Sequence, residues 1–203
     1  MVAGWPGEAS GGRRNVQQPR VLVSELEETD LPFLLDLWQI PDVMRYADEL
    51  PWLRGWDKTD DPRAAWRRYQ ERRAELGPEY TQLILRFPDG TQIGESFIAP
   101  LPEGYTFGRW EKPARVLAVM ADIKLLPEYW GRGLGTEGMQ RVVDWVFRHT
   151  GTELFVVPPN RHNPAAERVY EKAGFVRFTG MRSWHNHRIM ELTRQSFEAT
   201  HGQ

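Results

Sequence analysis

Three glycines at alternate positions, Gly131, Gly133 and Gly135, stand in the run Pro127-Glu128-Tyr129-Trp130-Gly131-Arg132-Gly133-Leu134-Gly135-Thr136-Glu137-Gly138. They separate an apolar, strand-like segment, Val116–Leu126, from a helix-like segment, Leu134–His149. Glycine turns sharply and leaves no Cβ in the way of a ligand. A glycine loop feeding a helix N-terminus aims free N–H groups outward at the positive end of the helix dipole, which suits a phosphate. One carboxylate, Asp122, interrupts the apolar strand that leads into this loop. Such a carboxylate is costly unless it is paired or used in chemistry. Lys124, two residues on and on the same strand face, is the available pairing partner.

Two familiar phosphate patterns do not fit. Gly133-Leu134-Gly135-Thr136-Glu137-Gly138 spells a dinucleotide fingerprint, but Glu153 opens the strand Leu154–Val157 instead of closing it, and no second βαβ half follows. No Lys-Ser or Lys-Thr follows a suitable glycine, so the P-loop pattern fails. An ordinary glycine-rich turn is the plain alternative. His149, His162, His185, His187 and His201 share no metal-ligand spacing with acids on one helical face, so they read as surface residues and no metal site is expected.

The elements around these groups follow from periodicity and punctuation. Val21–Leu26 alternates as a first strand, and Thr29-Asp30 can cap a helix over Leu31–Ile40 that Pro41 ends. Pro62–Leu76 is helical, stopped by Gly77-Pro78. Thr81–Phe87 and Gln92–Ile98 flank Asp89-Gly90, a hairpin signal. A long loop, Pro100–Pro113, precedes the Val116–Leu126 strand. After Leu134–His149 come the strand Leu154–Val157, a helix over Ala165–Ala173 ended by Gly174, and a closing hairpin of Val176–Trp184 and His187–Thr193.

The chain has 203 residues, 40% hydrophobic and 27% charged, ordinary for one soluble domain with a sizeable core. It has no 18-residue apolar run, so no membrane partner is expected. Absence of cysteine excludes disulfides, thiolate metal sites and a cysteine nucleophile, and a cytoplasmic location fits. Residues 1–20 read as a disordered lead-in, 21–197 as the domain and 198–203 as a tail. Arginines of the Pro62–Leu76 helix interleave with Glu71 and Glu75, a solvated face and no nucleic-acid surface. Between Ser24 and Asp61 eleven acids oppose three cations, a balance of −8, which leaves +6 for the rest of a chain of net charge −2. That split suits a protein that meets a cation on one side and an anion on the other.

A second motif, Asn163-Pro164-Ala165-Ala166-Glu167-Arg168-Val169-Tyr170-Glu171-Lys172-Ala173-Gly174-Phe175, lies about thirty residues past the glycine loop. In order and spacing the two resemble the acetyl-CoA loop and the following segment of the GNAT superfamily of N-acetyltransferases, over roughly Val21–Phe197. Gly133 and Gly135 match the small positions of the loop, and Trp130 stands where the family usually has Gln or Arg. The resemblance implies an α/β (α+β) single domain, a mixed, mostly antiparallel sheet with a splayed strand pair and helices on both faces. It implies acetyl-CoA as acetyl donor, entering between Val116–Leu126 and Leu154–Val157. The donor-binding residues implied are Ile123, Leu125, Trp130, Gly131, Arg132, Gly133, Leu134, Gly135, Thr136, Asn163 and Tyr170. Tyr170 is implied as the general acid toward the thiolate. Asp122 is the candidate base or amine-orienting acid, with Glu128 and Glu111 as alternatives.

Gly133-Leu134-Gly135-Thr136, Tyr170–Phe175, Thr193–Glu198 and the loop Gly108-Arg109-Trp110-Glu111 further resemble the aminoglycoside 6′-N-acetyltransferases. That implies a small cationic amine as acceptor, held by Trp52, Trp56, Trp110, Glu111 and Asp122. Two departures stand against it: Val157 lies where those enzymes often carry an acid, and residues 42–62 do not align with their acceptor lid. A peptide or protein N-terminal amine, or a catalytically silent acyl-CoA-binding module, are the alternatives.

Overall fold

The computed structural model describes residues 20–47, 61–180 and 185–201. Trp52 and Trp56 lie outside the described residues. Among the described residues ten strands and six helices follow in order: β1 (Leu22–Glu25), α1 (Leu31–Gln39), α2 (Pro41–Met44), α3 (Pro62–Leu76), β2 (Thr81–Arg86), β3 (Gln92–Pro100), β4 (Thr106–Phe107), β5 (Trp110–Glu111), β6 (Ala118–Ala121), β7 (Lys124–Leu125), α4 (Leu134–His149), β8 (Leu154–Val157), α5 (Pro164–Lys172), β9 (Val176–Arg177), β10 (Met190–Thr193) and α6 (Arg194–His201).

Alternation along the central strands sends side chains to both faces of one sheet, and both faces are covered. Leu83 and Leu85 of β2, Val119 of β6 and Phe155 of β8 pack with α4, α5 and α6 through Val142, Val146, Tyr170 and Phe197. Their neighbours turn the other way. Ile84 meets α1 and α3 through Leu34, Trp38 and Tyr69, while Met120 and Val156 meet Phe107 and Trp110. A strand buried on both faces reads as a continuous apolar run, as Leu154–Val157 does.

The sheet order is β1-β2-β3-β6-β8-β10-β9, with β7 also on β3. All pairings are antiparallel except β6 with β8. This is the mixed, mostly antiparallel sheet with helices on both faces that the resemblance implies. Several local expectations need correction. Pro41 starts the short helix α2 instead of only ending α1, because proline suits a first helical position. The long loop contains a small hairpin, β4 with β5. The closing hairpin is short, β9 with β10, and α6 continues the chain through the first residues assigned to the tail.

Candidate active site

The strand expected at Val116–Leu126 is two pieces on one register. Ile98 pairs with Ala121 in β6, and Glu95 pairs with Lys124 in β7, so no residue is inserted between them. The ladder lapses at Asp122 and Ile123. The Ser96 hydroxyl donates to the Asp122 carbonyl at 2.6 Å and holds the main chain there. On the other side β6 pairs with β8 only as far as Met120 opposite Val156. Past that point the two strands part. A groove of about 620 Å³ opens between β7, the exit of β8 at Pro158 and Pro159, the glycine loop and α5.

The glycine loop forms one end of the groove. Gly131 and Gly133 take left-handed φ of 71° and 79°, conformations that disfavour a side chain. Gly133 is the N-cap of α4, and no side chain caps it. The first intrahelical bond runs from Glu137 N–H to the Gly133 carbonyl at 3.2 Å, so the preceding N–H groups have no helical partner. A Cβ at Gly131 would meet nothing within 4 Å. Gly131, Gly133, Gly135 and Thr136 line the groove. Leu134 is buried in the core, which leaves it only its main chain for a ligand. The Arg132 guanidinium lies over the Tyr129 ring, 5.7 Å from its centre, and Arg132 is not among the lining residues. Trp130 lines the groove, and its indole N–H donates to the Leu125 carbonyl at 2.9 Å, tying the loop to β7. Asn163 caps α5, accepting from Ala166 N–H at 3.1 Å, and also lines the groove.

Arg20 joins this end, and the sequence offered no signal for it. Glu137 of α4 accepts from the Arg20 N–H at 2.6 Å, from its Nε at 2.9 Å and from Val21 N–H at 3.0 Å. An outer guanidinium nitrogen of Arg20 is thereby held 3.7 Å from where a Gly133 Cβ would be.

The middle of the groove brings Tyr170, Ile123, Leu125 and Asp122 together. Tyr170 is buried. Desolvation first, and the nearby Asp122 charge second, push its hydroxyl well above the usual phenol value of 10.0, while the Ile123 N–H opposes them. Asp122 is 40% exposed. One of its oxygens takes Lys124 Nζ at 2.6 Å, and the other is buried with no hydrogen-bond partner among the described residues. The expected Lys124 pairing is present, but Lys124 has a second partner. Its ammonium also lies 2.8 Å from Glu95 Oε1, deep in β3. Trp38 Nε1 donates to the same Glu95 oxygen at 3.1 Å, and the Gln82 amide donates to the other.

At the far end the groove is lined by Asp42, Tyr46, Asn160 and His187. Tyr46 donates to the His162 carbonyl at 3.1 Å and so ties the segment after α2 to the segment after β8. His187 is 2% exposed, a correction to its reading as a surface residue. Its Nδ1 bonds the His185 carbonyl at 2.8 Å, and an isolated bridge to Asn160 sets it in the groove wall. Trp110 is elsewhere. It is buried against β6 and β8, with its indole N–H donating to Glu191 at 2.6 Å. Glu111 and Glu128 are exposed and are not among the lining residues. Among the described residues of the acidic segment, Glu25 pairs with Arg73, Asp30 with Arg86 and Asp42 with Arg45, and Asp61 caps α3. Among the described lining residues the acids are Asp42 and Asp122. Among the described residues no group of three or more His, Asp or Glu could hold a metal ion, and no helix is long and apolar enough to cross a membrane.

Solved structures share this architecture. The aminoglycoside acetyltransferase AAC(6')-Ib in complex with coenzyme A aligns with a TM-score of 0.66 at 22% identity, over 89% of this chain and 99% of that one. Spermidine N-acetyltransferase from Vibrio cholerae, in complex with CoA and spermine, aligns with a TM-score of 0.64 at 17% identity, over 88% of this chain and 98% of that one. A putative acetyltransferase from Salmonella typhimurium with acetyl-CoA aligns with a TM-score of 0.58 at 20% identity, over 86% of this chain and 94% of that one. The acetyltransferase (GNAT) domain family matches residues 20–176, so the chain belongs to the GNAT acetyltransferases, which take their acetyl group from acetyl-CoA.

Proposed function

We propose that the chain transfers acetyl from acetyl-CoA to a primary amine of a small polycation, with the aminoglycoside 6′-amine as first candidate. The observation that carries this reading is the charge count beneath the notch. Glu95 and Asp122 share one ammonium, that of Lys124, so the three side chains hold one negative charge in excess. Lys124 therefore does not cancel Asp122. A carboxylate left with spare charge and an unpartnered oxygen favours a cationic group.

The phosphates fit the Gly131–Thr136 main chain, where bare N–H groups and left-handed glycines offer positive charge without side chains. The bound thioester supplies the electrophile. Asp122 orients the acceptor ammonium and takes one proton from it, which frees the nitrogen lone pair to attack the acetyl carbon; as the carbon–sulfur bond breaks the nitrogen sheds its second proton, which restores the one that Tyr170 gives up. Tyr170 holds its proton throughout the working pH range, because burial and Asp122 disfavour the phenolate, and gives it to the departing sulfur. Holding amine and acetyl group together in the groove supplies much of the remaining rate. Distant structural neighbours were solved with ribostamycin and with spermine, which supports polycations as the first class to test.

The test is thiol release from acetyl-CoA with kanamycin, spermine and a short peptide bearing a free N-terminus. Turnover of a polycation well above the peptide is expected. Faster turnover of the peptide would move the acceptor to a protein or peptide amine. Acetyl-CoA binding with no turnover of any amine would make the chain a silent acyl-CoA-binding module.

A further inference from the structure

We propose that Lys124 is a positioning residue: with Glu95 it holds the Asp122 carboxylate at the notch in the place where the acceptor amine is received. This rests on the reading of Asp122 as the acceptor-facing acid.

Burial sets the problem. Glu95 is 0% exposed and Lys124 is 5% exposed, and removing such groups from water costs several kcal/mol per ion. A hydrophobic pair in these two positions would serve the core at least as well. A buried ion pair is therefore weak evidence of a stability device, and its place in the fold points to another use. Glu95 and Lys124 stand directly opposite each other on β3 and β7, at the edge of the lapse in the ladder. Glu95 itself is fixed from two further elements, by Trp38 of α1 and Gln82 of β2. The anchored carboxylate holds the Lys124 ammonium, which then reaches across the lapse to Asp122 at 2.6 Å.

Asp122 needs such an anchor. The sheet does not hold it, because the ladder is absent at its position. Its main chain is fixed by the buried Ser96 hydroxyl instead. Among the described residues its carboxylate has one hydrogen-bonding partner, Lys124. Without it a side chain 40% exposed in an open groove would sample several rotamers. Misplacement of a reacting group by about 1 Å can cost on the order of 10²-fold in rate.

The experiment is a double-mutant cycle between the anchor and Asp122. Lys124→Met alone would leave Glu95 buried without a counter-charge and can unfold the chain. The working variant is therefore Glu95→Gln/Lys124→Met, which removes both charges, beside Asp122→Asn and the triple variant. Thiol release is measured with kanamycin and spermine, and acetyl-CoA affinity by calorimetry. The anchor variant should fold, bind acetyl-CoA as the parent does, and lose about 10²-fold in acceptor kcat/KM. In the Asp122→Asn background the same change should cost little more, because groups acting as one unit are not additive. Equal losses in both backgrounds would make the pair purely structural and overturn the proposal. A silent anchor variant beside a costly Asp122→Asn would overturn it too, with the acceptor reading intact. A silent Asp122→Asn, or no turnover of either amine by the parent chain, would overturn the acceptor reading and this proposal together.

Discussion

Replacing Tyr170 with phenylalanine separates the packing of this side chain from its chemistry. The ring lies in the main core, edge-on to Phe175 at 5.9 Å, and phenylalanine keeps that contact. The hydroxyl and its contact with the Ile123 N–H are lost. One modest hydrogen bond is worth about 1 kcal/mol, and in a chain of this size that lowers Tm by about 2–4 °C. The rate should respond far more. Loss of a positioned general acid costs on the order of 10²-fold or more, about 2.7 kcal/mol of barrier. The assay is steady-state thiol release, with acetyl-CoA affinity measured alongside by calorimetry. The maximal rate should collapse while donor affinity holds.

pH adds a second reading of Tyr170→Phe. In the folded chain the Tyr170 phenol titrates well above its ordinary value of 10.0, because of burial and the Asp122 charge. The proton is therefore still present at pH 10, and no alkaline fall in rate below that pH should belong to Tyr170. Above pH 10 the unfolded chain releases this proton while the folded chain keeps it. Folding stability then declines as pH rises. Tyr105, pushed up to about 12 by burial, acts in the same direction. The decline of Tm above pH 10 should be shallower in Tyr170→Phe. An unchanged maximal rate would refute the general-acid role, and a limb below pH 10 that vanishes in the variant would refute the raised titration of Tyr170.

Other perturbations test the frame around this centre. Gly133→Asp sets a carboxylate at the phosphate cradle; aspartate tolerates φ of 79° better than most residues, so calorimetry should show acetyl-CoA affinity lost while Tm shifts little. Arg20→Ala should weaken acetyl-CoA binding by about 1 kcal/mol, roughly fivefold, and lower its salt dependence, whereas a donor fragment without phosphates should bind it as it binds the parent. Gly94→Ala places a Cβ 2.2 Å from the Lys124 carbonyl, which forces β7 off β3; thermal unfolding should show a loss of about 1–3 kcal/mol, and turnover should fall because Lys124 and Leu125 move with the strand.

What was legible in the sequence was local. Left-handed backbone at Gly131 and Gly133 is a demand met within one loop, and a helix directly after it must bare its first N–H groups. The alternation of β1, the Asp89-Gly90 turn and the Gly77-Pro78 stop of α3 are likewise each written within a few residues. For the same reason Tyr170 and Asn163 were found as one motif. Chain folding across long separations decided the rest. Trp110 read as a binding aromatic in an exposed loop, but the β4–β5 hairpin turns it inward onto Glu191, 81 residues away. Arg20 comes to the glycine loop through Glu137, 117 residues away. His187 is buried where a bridge sets it beside Asn160 and its ring meets Phe107, 80 residues away. Lys124 read as the neutraliser of Asp122, since the two are close in sequence. It is the order and register of the sheet that set Glu95 opposite Lys124 and give its ammonium a second carboxylate partner. Backbone preference acts over a few residues and is written in them, whereas the partner of a buried charge is whichever group the assembled sheet brings within about 3 Å.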